Sequence, residues 1–355
     1  MSVKLIALRE KMRTENLDGF FVTNPFNRRY LSGFTGTSGN LVITANSSDL
    51  ITDFRYVEQA SQQAPDFTVI RHEREILECV GEQVKKQGVK RLAFEQNDVT
   101  YALFQKLAGF TEGVELVPVE GIIEELRLIK TPEEIAIIKD AAHIADQAFA
   151  HILEFIKPGV TERQVSNELE FAMRRLGATA SSFDTIVASG LRSALPHGVA
   201  TDKCIQSGEL VTLDFGAYYR GYCSDITRTI AVGKPDPKLE EIYSVVLNAQ
   251  LNGVQKVGPG LSGKEADALT RELIGEAGFA EYFGHGTGHG VGLEIHEGPT
   301  LSPRGEQRLR PGMVVTVEPG IYVPGLGGVR IEDDVVITEQ GCDVLTASPK
   351  EFIIL

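Results

Sequence analysis

Pro158-Gly159-Val160-Thr161-Glu162-Arg163-Gln164 and Pro259-Gly260-Leu261-Ser262-Gly263-Lys264-Glu265 are two copies of one punctuation pattern. Each opens on a Pro-Gly break, continues with a hydroxyl residue placed to cap a helix, and closes a capping box with Gln or Glu three positions later. Each predicted helix stops at a glycine, Gly177 or Gly278, so break, cap and stop all repeat at an offset of 101 positions. A longer helical stretch precedes each copy, over 133–156 and 239–257, and strand-rich sequence follows. The reading is a duplicated helix–helix–sheet unit, whose two halves would set the ends of two sheets around a central cleft.

Working outward, the first long helix has its own start at Thr131-Pro132-Glu133-Glu134, with Thr as N-cap, Pro at N1 and Glu at N3. Ile135, Ile138, Ala142, Ala145, Phe149 and Ile152 then recur at three- and four-residue spacing, giving it one apolar face. This places a boundary near 121–132 and predicts two domains, 1–125 and 126–355. Upstream, residues 2–16 carry a helical pattern, and Gly19–Thr23 reads as a strand closed by Asn24-Pro25. Strands over 41–44 and 50–52 flank a turn at Asn46-Ser47-Ser48-Asp49. Helical stretches near 56–63, 74–87 and 100–108 alternate with strands near 67–70 and 91–94, which predicts a small α/β domain. It shows no cluster of ligands or nucleophiles and fits a structural or oligomerising role.

The chain's 355 residues correspond to about two domains at ~100–200 residues each. A composition 42% hydrophobic and 24% charged excludes a disordered or fibrous chain. Thirty-five Lys and Arg against 49 Asp and Glu leave a net charge of −14, with no basic block. That excludes nucleic acid and anionic membrane as partners, since either demands a basic face. No run reaches the ~20 apolar residues of a membrane span, and charges occupy the N-terminal stretch where a signal peptide would be apolar. The four cysteines, Cys79, Cys204, Cys223 and Cys342, are too scattered for a disulfide framework or a zinc knuckle. The expected setting is cytoplasmic.

Chemistry gathers in three stretches. Glu209–Ile230 reads as a hairpin turning at Arg220-Gly221, which sets Tyr219 opposite Tyr222, Asp214 opposite Thr227 and Gly216 opposite Asp225. Phe215 with Ile226 and Val211 with Ile230 make one face apolar. The other face carries Asp214 and Asp225 as diagonal neighbours, about 7–8 Å apart. Carboxylates that close repel one another unless a cation lies between them. Gly216 is predicted to leave open space above that spot. Phe283–Pro299 then packs His285, His289 and His296, three of the chain's seven histidines, among six glycines. Those glycines are predicted to let backbone approach a ligand. The stretch fits neither a phosphate cradle nor a metalloprotease helix. Finally, Val314–Gly320 and Gly328–Val336 place Glu318 and Glu332 in β-rich runs that would otherwise be buried. A buried carboxylate needs a cation, and Arg330 could serve one glutamate but not both plus two aspartates. Four carboxylates and one imidazole suit a pair of divalent ions such as Mn²⁺, Co²⁺ or Zn²⁺. Such a pair, about 3.5–4 Å apart, would lower the pKa of a bridging water toward ~7 and polarise a carbonyl. Hydroxide attack on an amide follows, with a glutamate relaying the proton and imidazoles at the oxyanion.

The ordered set Asp214, Asp225, His289, Glu318 and Glu332 resembles the metal-ligand set of the pita-bread metallopeptidases: methionine aminopeptidase, aminopeptidase P and prolidase. Asn24-Pro25, Tyr30-Leu31-Ser32-Gly33 and Asp53-Phe54-Arg55-Tyr56 resemble the creatinase-like N-terminal domain of the Xaa-Pro branch, which methionine aminopeptidases usually lack. The resemblance implies an α+β chain in which a smaller α/β domain precedes a pita-bread domain of two pseudo-symmetric halves. It implies that Asp214 and Asp225 hold one metal, with Asp225 bridging, and that His289 completes the second site. Glu318 and Glu332 would be further ligands, with Glu332 bridging and Glu318 shuttling the proton. His197, in Ala194-Leu195-Pro196-His197-Gly198, would lie near the scissile carbonyl. His285, His296 and Arg330 would line the proline-side pocket and the reacting centre. The implied enzyme is an Xaa-Pro dipeptidase or aminopeptidase P, homodimeric, using two divalent ions (Mn²⁺ first, Co²⁺ or Zn²⁺ second). Its substrates would be small peptides with proline at position two. The alternatives are a metal-independent creatinase-like amidinohydrolase and a non-catalytic binding protein of the same fold. Both should have lost ligands, and this chain keeps all five.

Overall fold

All three predicted capping boxes form. Thr131, Thr161 and Ser262 each accept the N3 backbone N–H, and Glu134, Gln164 and Glu265 each reach back to the cap. They open the helices Pro132–Phe155, Glu162–Arg175 and Gly263–Glu276; the fourth helix of the set is Pro237–Lys256. The computed structural model describes residues 2–355, and the chain divides into two units, Met1–Arg127 and Leu128–Leu355.

The first unit is built on a six-stranded sheet in the order Thr68–Arg71, Ser48–Thr52, Asn40–Thr44, Gly19–Val22, Arg91–Glu95, Glu115–Val119. The middle pairings are antiparallel and the outer ones parallel. Successive strand residues face opposite ways. Phe20 accordingly packs with Leu5, Leu8 and Phe34, and Phe21 with Leu77, Val80, Leu92 and Leu107. Helices thus cover both faces. Two local expectations are corrected. The turn after Thr44 is shorter than predicted, because Ser48 and Asp49 belong to the strand, where buried Asp49 accepts a hydrogen bond from Gln87. Asn24-Pro25 does not merely end a strand: Asn24 caps the helix Pro25–Ser32.

The second unit repeats itself. After each Pro-Gly break the chain ties to a later strand in the same way: Gly159 N–H donates to Ile205 O at 2.9 Å, and Gly260 N–H to Leu309 O at 2.8 Å. In the first half, Glu209–Phe215 lies between Ile226–Val232 and Ile186–Ser189, antiparallel to both. The predicted hairpin register is observed, with Tyr219 opposite Tyr222, Asp214 opposite Thr227, Phe215 opposite Ile226 and Val211 opposite Ile230. In the second half, Val314–Val317 lies between Gly288–Gly290 and Asp333–Ile337, and the ribbon Gly320–Val323/Gly327–Arg330 continues the hairpin. Phe149, Leu169, Met173, Phe215 and Ile230 join the first half's helices to its sheet. Ile242, Val246, Ile274, Ile321 and Val329 do so in the second. At about 1.5–3 kcal/mol per buried large apolar side chain, this packing makes the sheets a rigid base for the polar groups at the strand ends.

The halves meet along a polar seam. Arg228, only 1% exposed, ion-pairs with Asp333 at 2.8 Å and donates to the carbonyls of Thr227, Glu332 and Ser348. Asp333 also accepts from Gln250, Thr346 and Lys350. Burial would raise the Asp333 carboxyl, but Arg228 and Lys350 hold it below the ordinary carboxylate value. Among the described residues no helix is long and apolar enough to cross a membrane, and all four cysteines are free thiols.

Candidate active site

The carboxylate side chains converge because each sits where a strand ends or bends. Asp214 lies near the end of Glu209–Phe215, and Asp225 immediately precedes Ile226–Val232. Glu318 follows Val314–Val317, and Glu332 lies between Gly327–Arg330 and Asp333–Ile337. His289 is the middle residue of Gly288–Gly290. All the predicted site residues, with His197, His285, His296 and Arg330, line one cavity of about 470 Å³.

Ligand atoms of Asp225, His289 and Glu332 all lie within 4.8 Å of one another. His289 Nε2 is 3.3 Å from Glu318 Oε1 and 3.7 Å from Asp225 Oδ2. The other ring nitrogen, Nδ1, faces the carbonyl of Gly290 at 3.1 Å, an acceptor only. The proton therefore sits on Nδ1, and Nε2 presents its lone pair to the carboxylates. Burial, then Glu332, Asp214 and Asp334, push Asp225 well above the ordinary carboxyl value. Burial, then Glu318 and Asp214, do the same to Glu332. Burial raises Glu318 to about 7, against the pull of Arg330. Asp214 Oδ1 and Asp225 Oδ1 are buried with no hydrogen-bond partner. Orphaned carboxylate oxygens beside an imidazole lone pair make a donor set that fits divalent cations, and protein cations do not fill the need.

Arg330 lines the cavity and gives its charge to an aspartate. It pairs with neither glutamate; its Nη2 lies 2.5 Å from Asp214 Oδ2, Nη1 donates to Tyr322 Oη at 2.7 Å, and Nε donates to Thr227 Oγ1 at 3.1 Å. Burial works against its charge, but Tyr322, Asp214 and the two glutamates hold it protonated. His285 is fixed from both sides, Nδ1 facing Gly286 O at 2.7 Å and Nε2 facing Tyr322 Oη at 2.8 Å. Burial lowers its pKa to about 4, so the ring is neutral. His296 packs its ring on His289 at 4.4 Å between centroids, and His197 projects from an exposed loop.

The expectation of open space at Gly216 is corrected, and several glycines make room for neighbouring backbone. A Cβ on Gly216 would fall 1.8 Å from Ser224 O, so the space above Asp225 is filled by backbone rather than open. A Cβ on Gly288 would meet Thr316 O at 2.0 Å, and one on Gly290 would meet Gly298 O at 1.9 Å. Gly288 and Gly290 thus admit neighbouring backbone and so hold His289 against Glu318, while Gly286 and Gly288 also line the cavity. Sequence reasoning missed Thr227, whose hydroxyl donates to Glu332 Oε2 at 2.6 Å, and Asp334, whose Oδ2 accepts from Asp225 N at 2.8 Å. Both lie two residues from a predicted ligand and so share its strand face, a period-2 signal that was available. Tyr322 and the apolar wall of Phe183, Ile186 and Ile295 carried no such signal.

Residues 136–339 match the model of Metallopeptidase family M24, and residues 4–129 match the Creatinase/Prolidase N-terminal domain. The chain belongs to metallopeptidase family M24. It is an M24 enzyme of pita-bread fold with a creatinase-type N-terminal domain. Its sequence is 42% identical to the Xaa-Pro dipeptidase of Pyrococcus furiosus, over 99% of this chain and 100% of the relative. Among solved structures it is similar to the Xaa-Pro dipeptidase from Bacillus anthracis, at TM-score 0.98 and 58% identity over 99% of both chains. It is also similar to the X-Pro aminopeptidase from Thermotoga maritima, at TM-score 0.92 and 39% identity over 98% of this chain and 100% of that one.

Proposed function

We propose that the chain is a divalent-metal-dependent Xaa-Pro peptidase, hydrolysing the bond between an N-terminal residue and a following proline. The observation that carries this reading is the convergence of Asp225, His289 and Glu332 around buried carboxylate oxygens that no protein group satisfies. Asp214 and Glu318 complete the proposed ligand set. A pair of divalent ions held by these five residues, Mn²⁺ by preference, would supply Lewis acidity to the scissile carbonyl and acidify the attacking water.

The chain's own groups do the rest. Thr316 engages Glu318 Oε1 at 3.1 Å, which leaves Oε2 to take the water's proton and return it to the proline nitrogen. His197 and His296 approach from opposite halves to hydrogen-bond the oxygen on which charge develops. Phe183, Ile295 and the neutral ring of His285 offer an apolar seat for the pyrrolidine ring. Relatives named Xaa-Pro dipeptidase and X-Pro aminopeptidase support the proline assignment. Four free thiols support a cytoplasmic setting, and the family resemblance supports a homodimer.

Exhaustive chelation tests the reading. Hydrolysis of Xaa-Pro substrates should fall at least 100-fold, return on adding Mn²⁺, and track the metal content measured by mass spectrometry. A full rate in metal-free protein would favour the amidinohydrolase-type alternative instead.

A further inference from the structure

A peptidase that prefers dipeptides has to receive a free carboxylate one residue beyond the bond it cuts. That group is costly to desolvate without a cation, since an unpaired charge taken out of water either shifts its protonation or weakens binding. The cavity wall offers little. Among the described residues its ionisable members are the carboxylates of Asp184, Asp214, Asp225, Glu318 and Glu332, the imidazoles, and one guanidinium, Arg330, with no lysine.

Arg330 is not available as a receptor. It is 3% exposed, and its donors go to Asp214, Tyr322, Thr227 and the carbonyl of Pro196. Turning it toward a substrate carboxylate would strand Asp214 and Tyr322 at the reacting centre. His285 has both ring nitrogens engaged within the protein. Two divalent ions against five carboxylates and one guanidinium leave the wall with no net positive charge to attract an anion. The carboxylate of Asp184, exposed on the wall, opposes one directly. The rim beside His197 carries exposed apolar side chains: Val199 lines the cavity and is 50% exposed, as is Leu195 beside the wall residue Pro196, and the nearby Arg192 is engaged by Glu162 and the Val199 carbonyl.

Resting on the Xaa-Pro reading above, we propose that this site takes peptides continuing past proline, Xaa-Pro-Yaa and longer, in preference to free Xaa-Pro dipeptides. An amide following proline brings no charge to be desolvated, and the residue after it meets the Val199–Leu195 rim.

The test compares kcat/KM of the Mn²⁺-loaded full chain on Ala-Pro, Ala-Pro-amide and Ala-Pro-Ala, with Ala-Ala-Ala as the control for proline. The amide and the tripeptide should each exceed the dipeptide at least fivefold. A smaller advantage, or a dipeptide preference, overturns the length proposal while leaving the Xaa-Pro reading intact. Failure to cleave any proline substrate, or preference for Ala-Ala-Ala, overturns both. Asp184→Lys supplies the missing cation at an exposed position and should raise the dipeptide-to-amide ratio at least fivefold, mainly through KM. An unchanged ratio would mean that wall charge does not set substrate length and would overturn the argument.

Discussion

The two halves of the M24 unit share a backbone plan and differ in what they hang on it. Asp214 and Glu318 stand near the ends of equivalent strands, each running on into a hairpin, over Ala217–Tyr219 and Gly320–Val323. Each half also sends one histidine from the loop after the strand flanking its carboxylate strand: His197 follows Ile186–Ser189, and His296 follows Gly288–Gly290. The halves part where the return strands begin. The first places Thr227 opposite Asp214 and offers Asp225 two residues earlier. The second brings Glu332 up beside Asp333, and it alone adds an imidazole, His289. Duplication supplied a symmetric frame, and divergence at a few face positions made one pair of hairpins into an unequal donor set.

The largest expected effect comes from removing one proposed ligand of each half. Asp225→Asn and Glu332→Gln should each abolish Mn²⁺ binding in calorimetry and lower kcat at least 1,000-fold, with an unchanged circular dichroism spectrum. Thr227→Val, which removes only the support of Glu332, should weaken Mn²⁺ by about 10–100-fold. Equal losses for the hydroxyl and the ligands would contradict the assigned roles.

Next come the two glycines at the hairpin shoulders. Gly216→Ala drives a methyl into the Ser224 carbonyl and should cost about 2–4 kcal/mol in urea unfolding. Gly320→Ala meets the Tyr322 side chain rather than backbone, and shifting that ring against its hydrogen bonds to Arg330 and His285 should cost less, about 1–2 kcal/mol. The reverse order would mean that the first hairpin is the more pliable. The smallest effect sharpens the symmetry itself. Thr161→Ala and Ser262→Ala remove equivalent caps and should each cost about 1 kcal/mol, within a few tenths of one another. A twofold disparity in the measured cost would show that the two helices carry unequal loads.

What the sequence revealed was mostly local or periodic. Break, cap and stop residues are written into short stretches, so the repeat at 158–177 and 259–278 was legible, and a two-residue turn at Arg220-Gly221 sufficed to set the hairpin register. Site residues were legible where polar groups interrupted apolar strands, as at Asp214 and Glu332. Contacts between distant segments were not. Nothing near Arg330 in the chain says that Asp214, rather than a glutamate, takes its charge. Gly216, Gly288 and Gly290 look alike whether a ligand or a neighbouring carbonyl approaches them, and only the fold decides.

Arg228 adds a charged tie to the apolar one that Leu210 and Ala231 of the first half make with Ile321 and Val329 of the second. Its counter-charge, Asp333, and its acceptor at Ser348 come from more than a hundred residues further along the chain. Either half on its own would therefore lack one member of that ion pair. The two must melt together, as one cooperative block, although each resembles a self-sufficient module.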